Sequence, residues 1–228
     1  MKTFVTIMLV LHVISGTVAL TTGLLSMFNR KGGKAHSITG RIFFWAMTGV
    51  FITAVTISII KNLQFLFLVG FFSYYMACSG YRSLYLKKLH LKQKGTWIDW
   101  FIGYAGLIFG IGLMIFSIIG FANHGRLFSI VPAVFGGISI FFAYRDIRQF
   151  YERPTDKTHW IVSHGMKMSG AFTATLTAFI VVNIQIQQQW ILWILPAAVI
   201  PTLTSFYIKR LLAKKPKQIF DKVKVVND

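Results

Sequence analysis

Seven runs of apolar residues, near 3–29, 39–61, 63–86, 98–122, 126–149, 158–184 and 188–211, follow one another with only short polar turns between them. About 20 residues of helix cross a hydrocarbon core of about 30 Å, so each run is long enough to span it. Unpaired backbone groups are not tolerated in lipid, which makes these runs helices rather than open strands. The expected fold is all-α: a polytopic membrane bundle of seven transmembrane helices, one domain over 1–211, then a basic cytoplasmic tail over 212–228. Only 13% of the residues are charged, against about 25% in soluble domains. The first run follows Lys2 as a secretory signal would, but it is too long for a signal core and ends in cations instead of a small-residue cleavage site. We therefore read it as a span.

A net charge of +18 raises nucleic acid as a partner. Such binders gather their cations on one soluble face, whereas here they punctuate apolar runs, so no nucleic-acid role is expected. Cations mark the cytoplasmic side of a membrane protein. Arg30, Lys31, Lys34 and Arg41 fall in the first loop, Lys87, Lys88, Lys92 and Lys94 in the third, and Arg145, Arg148, Arg153 and Lys157 in the fifth; with the tail from Lys209, 19 of the 24 cations lie on one side. Lys2, Lys61 and Arg126 lie on the other. This places the amino terminus outside and the carboxyl terminus in the cytoplasm, with anionic lipid headgroups as the partners of the basic loops. All six tryptophans are expected at a boundary: Trp45, Trp97, Trp100 and Trp160 inside, Trp190 and Trp193 outside. The turn "RKGGKAHSITGR", residues 30–41, is basic because it is the first cytoplasmic loop, with Ser37 or Thr39 as cap of the second helix. Cys78, the one cysteine, lies inside an apolar run and is read as a packing residue.

Loop lengths repeat. A long basic turn and then a short outer one join the first three segments and again the last three, so the fourth would link two parallel triplets, a three-plus-one-plus-three plan. In topology alone this resembles the family of small sugar transporters built from parallel repeats. Pro132, Pro196 and Pro201 all fall in the second triplet, so matched helix breaks are missing from the first.

An ionisable group within a span costs roughly 2.5–3.5 kcal/mol on insertion scales. His12 lies in the first helix on a small, polar face with Ser15, Gly16, Ala19, Thr22 and Ser26. It reads either as a neutral ring bonded to a neighbouring helix or as a ligand or proton-transfer group. The sixth segment opens "DKTHWIVSHGMKMSG", with Asp156 or Thr155 as its cap and His159 at headgroup level. His164 lies deeper, and a spacing of five keeps it off the face of His159. Lys167 shares a stripe with Ser163, Gly170, Ala174 and Thr177; it reads as a counter-ion for an anionic substrate or as a lysine snorkelling to the headgroups. Arg82 and Asp146 are expected to pair at the cytoplasmic end, and His90 and His124 to be solvated.

Two cofactors fit these residue types. Zinc accepts imidazoles and carboxylates, and His36, His159 and His164 converge on the cytoplasmic boundary. Seven-helix zinc hydrolases share the helix count, but their paired histidines one turn apart are missing here. Haem b takes two facing imidazoles, for which His12 and His164 are the candidates, with roughly 8 Å of depth mismatch in a 30 Å core.

The stretches "LHVISGTVALTTG", "HSITGRIFFWAM" and "HWIVSHGMKMSGAFTA" resemble those of a bacterial multi-pass family described as predicted membrane proteins of unknown function. The likeness covers both ends of the chain and skips the middle. It singles out His12, His36 with Gly40 and Arg41, and His159 with Trp160; His164 departs from the pattern. The resemblance implies a bacterial cytoplasmic-membrane protein whose histidines form a set, and no particular activity. The leading reading is thus a histidine-lined intramembrane site for haem, a metal or a small ligand. A transporter of two triplets is the alternative, and a scaffold or subunit of a membrane complex is the third.

Overall fold

The computed structural model describes residues 1–124 and 127–214. It is built of helices α1 (Lys2–Phe28), α2 (Lys34–Ile60), α3 (Gln64–Arg82), α4 (Trp97–His124), α5 (Ile130–Tyr151), α6 (His159–Asn183) and α7 (Gln189–Lys214). Short 3-10 turns follow α3 and precede α5, and no strand occurs among the described residues. Arg126 and the tail from residue 215 lie outside the described residues, as does the side chain of His124.

Six helices, all but α3, are long and apolar enough to cross a membrane. Large apolar side chains cover their outer faces, such as Ile7, Val13, Ile108, Ile118 and Leu203, a surface that only lipid would cover so widely. The fold is that of a multi-pass helical membrane protein. α3 is the shortest and carries Tyr74, Tyr75, Ser79 and Arg82 along its length. Its polarity follows from its place: it packs against α2, α4, α5 and α6, so protein rather than lipid surrounds most of it. The remaining helices form hairpin pairs around it, α1 with α2, α4 with α5 and α6 with α7.

Local chemistry sets the connections. Asn62 takes a left-handed conformation (φ 53°), and Leu63 N–H donates to Ser58 O at 2.8 Å while Asn62 N–H donates to Ile59 O at 3.3 Å. This is the Schellman closure that asparagine tolerates, and it turns the chain between α2 and α3 in very few residues. At the start of α4, Asp99 accepts from Thr96 N–H at 2.8 Å and from Thr96 Oγ1 at 2.7 Å, the acidic form of a capping box. α2 starts earlier than expected, at Lys34 after Gly33, with no side-chain cap. Thr39 instead lies within the helix and donates back to Ala35 O at 2.9 Å. Asp156 accepts from Thr158 N–H at 2.7 Å, bracing the turn ahead of α6 rather than the helix itself.

Small residues let helices touch. A Cβ on Gly136 would lie 2.8 Å from Gly110 O, so α4 and α5 cross nearly backbone to backbone there. Ser139 seals the contact by donating to Gly106 O at 2.7 Å. Next to this crossing, Phe65, Phe128, Phe135 and Trp193 form an aromatic knot. Trp193 is therefore a core residue, not the interface anchor its position suggested; its ring fills the space between α3 and α5.

Candidate functional site

Two polar groups meet within the bundle, both on the α6 face turned to α3. In the first, the rings of His36 on α2 and His164 on α6 stand edge to face with centroids 6.4 Å apart. His36 Nδ1 lies 3.0 Å from Ser26 O on α1 and 3.1 Å from Ser26 Oγ. His164 Nδ1 lies 2.9 Å from Gly80 O on α3. A carbonyl only accepts, so each Nδ1 carries the proton and each Nε2 keeps its lone pair. No hydrogen bond engages either Nε2 among the described residues. Carbonyl-anchored imidazoles of this kind are how proteins orient metal-binding histidines. Gly80 permits the contact: a Cβ there would meet Lys167 Cβ and Met168 N at 3.1 Å. Lys31, just outside the membrane-spanning part, donates to Ser26 O at 3.0 Å and Met27 O at 2.6 Å. Burial there pulls its ammonium below the ordinary lysine value, while the carbonyl end of α1 faces its charge.

The second group lies one turn further along α6. Lys167 is only 2% exposed and pairs with Asp146 on α5, while donating to Ser79 Oγ at 2.8 Å. Asp146 also accepts from the Tyr75 hydroxyl at 2.7 Å and from Ser79. Each member of the cluster thus has a hydrogen-bonding partner within the bundle. Lys167 does not snorkel, because its counter-ion is inside the protein. The expected pairing of Arg82 with Asp146 is likewise replaced: Arg82 grips Asp99 at the start of α4, with Nε at 2.8 Å and Nη2 at 3.0 Å.

The two groups are neighbours in one seam. His164 and Lys167 are three residues apart on α6, and their acceptors Gly80 and Ser79 are adjacent on α3. Ser163 and Ser83 close the seam with hydroxyls 2.9 Å apart.

The remaining candidates go elsewhere. His12 Nδ1 faces Thr53 Oγ1 on α2 at 3.0 Å. The Thr53 proton is already given to Gly49 O at 2.7 Å, so the hydroxyl accepts from the ring. The ring that faces His164 is that of His36, and not that of His12, as a shared haem iron would need. His159 has its Nδ1 2.9 Å from Asp156 O and its Nε2 3.0 Å from Leu86 O, leaving no ring nitrogen for a metal. Its ring lies 6.0 Å from that of His90, which is lodged against it rather than solvated. Among the described residues no three of histidine, cysteine, aspartate or glutamate gather as a metal set, so His36, His159 and His164 do not form one.

Sequence reasoning passed over Tyr75 and Ser79. The signal was present: Tyr75, Ser79 and Ser83 recur every four residues along α3 and into the 3-10 turn that follows it, the spacing that Ser163 and Lys167 show on α6. No family model, curated protein or solved structure matches the chain.

Proposed function

We propose that the protein is a seven-span bacterial cytoplasmic-membrane protein, amino terminus outside, whose inner half holds one late transition-metal ion on His36 and His164. Zinc or copper suits imidazole ligands. One observation carries the reading: two imidazoles with Nδ1 fixed on backbone carbonyls and Nε2 unengaged, 6.4 Å apart between centroids. With metal–nitrogen bonds of about 2.0–2.1 Å, two imidazole centroids stand roughly 5 Å apart at a tetrahedral angle and roughly 6.3 Å apart when the nitrogens oppose each other across the ion, so the separation favours the opposed arrangement. The bonds to Ser26 and Gly80 hold the rings against the backbones of α1 and α3, which favours a single ion over a macrocycle. Two protein ligands leave further positions for water or an exchanging ligand, as suits an ion that is passed on rather than one that builds the fold.

Metal content and a cobalt(II) absorption spectrum on detergent-purified protein test this. We expect one ion per chain, lost in both His36→Ala and His164→Ala and retained in His12→Ala and His159→Ala. Metal-free wild type after loading would end the reading, and a Soret band would transfer it to haem.

A second reading, a small transporter of two parallel triplets, is favoured by the Lys167–Asp146–Ser79 cluster, which ties α3 of one triplet to α5 and α6 of the other. Ionisable groups between repeats mark transport pathways. Counterflow in vesicles, abolished by Lys167→Met with Asp146→Asn, is the expected outcome there.

A further inference from the structure

The lipid-facing side of the α1–α2 hairpin carries a feature separate from the histidine seam and independent of its function. Ile14 and Val18 of α1 and Ile38, Ile42, Trp45 and Ala46 of α2 line an open groove of about 480 Å³, with Arg41 among its walls. Small side chains make it: Ser15 and Ala46 sit where larger residues would fill the hairpin. From Ile38 to Ala46 the groove follows about 12 Å of helix, a length suited to part of an extended acyl chain. Its apolar walls are open to the surroundings, Ile14 and Trp45 by more than half of their surface.

Charge identifies what fits. Four carboxylates lie among the described residues, and each is engaged: Asp99 with Arg82, Asp146 with Lys167, Glu152 with Arg148 and Asp156 with Thr158. No described carboxylate therefore answers Arg41 or its loop neighbours Arg30 and Lys34. The Tyr81 hydroxyl neighbours Arg41. Arginine's fork matches phosphate oxygens, and its stem can run along apolar surface while the head reaches the headgroup layer. Trp45, one turn deeper, has the ring type that settles at that layer.

We infer that this groove binds an anionic phospholipid, with one acyl chain along Val18, Ile42 and Ala46 and the phosphate on Arg41. The loop's basic charge thereby has a structural partner and not only a diffuse surface potential.

The test is native mass spectrometry of the purified full chain in mixed micelles containing phosphatidylglycerol and phosphatidylcholine of identical acyl chains. Wild type is expected to retain one phosphatidylglycerol, about fivefold preferred, the effect of one basic side chain at an anionic surface. Arg41→Gln should bring the preference close to one, whereas Arg153→Gln, in another basic loop, should leave it intact. Ala46→Leu, which fills the groove, should lower retention of both lipids while the circular dichroism spectrum stays unchanged. Equal retention of the two lipids by wild type, equal loss in Arg153→Gln, or displacement by glycerol phosphate alone would overturn the proposal.

Discussion

Asp146 and Lys167 illustrate how a few atoms decide the fate of charge in a dry interior. Their depths differ: Asp146 lies five residues from the end of α5 and Lys167 eight residues from the start of α6, roughly 4–5 Å apart along the bundle. The lysine stem covers that gap, and for this reason residue positions alone did not pair them. Removing one partner leaves a buried charge uncompensated. Lys167→Met is therefore expected to cost about 3–5 kcal/mol in detergent unfolding, and the double variant with Asp146→Asn to recover most of it. A single variant as stable as wild type would show that water reaches the pair. Outside the membrane, the Thr158 hydroxyl and N–H hold the Asp156 carboxyl below its ordinary value of 3.8. A carboxyl depressed in the folded state stabilises above its unfolded value, and that contribution fades as pH falls through the folded one. Scanning stability downward from about pH 5, we expect an acid limb in wild type that is shallower in Asp156→Asn. His36, His159 and His164 were legible as lying toward one end of the bundle, but which ring meets which depends on how α1 and α3 bring α2 and α6 together, information that no local pattern holds.

At the scale of helices, the presence and order of the seven helices were readable because hydrophobic length and polar turns are local properties, whereas their bounds were not. α2 began at Lys34 and not after Ser37 because the glycine turn at 32–33 reverses the chain by itself, with Gly32 at φ 76°, and needs no hydroxyl cap. Trp193 misled because an aromatic ring near a helix end serves equally as interface anchor and as core filler; only the neighbours Phe65, Phe128 and Phe135 decide it. The α3–α6 contact is the element on which the site rests. Gly80→Val would push its side chain into Lys167 Cβ and the Met168 backbone, forcing the helices apart at about 1–3 kcal/mol and moving Gly80 O off the His164 ring. Unfolding and metal titration should fall together in this variant. Weaker binding is not expected from Gly16→Val, since a Cβ there meets nothing within 4 Å.

For the molecule as a whole, the all-α membrane architecture followed from composition and run length, while the order in which helices pack did not. Hairpin pairs form because short turns force neighbours together, but α3 at the centre is a long-range outcome. Its modest apolarity was the one available hint. Orientation is testable with single cysteines in a Cys78→Ala background. Lys61→Cys should react with a membrane-impermeant maleimide in intact cells, and Lys34→Cys only after permeabilisation; the reverse pattern would invert the topology.

The central position of α3 also bears on how such a chain is made. Ser79 and Tyr75 emerge from the ribosome well before Asp146 and Lys167, the groups that answer them. Until residues up to 167 have been synthesised, that polar edge has no partner of its own. The newborn chain must shelter it meanwhile, in the translocation channel or against a chaperone, so late helices complete an early one.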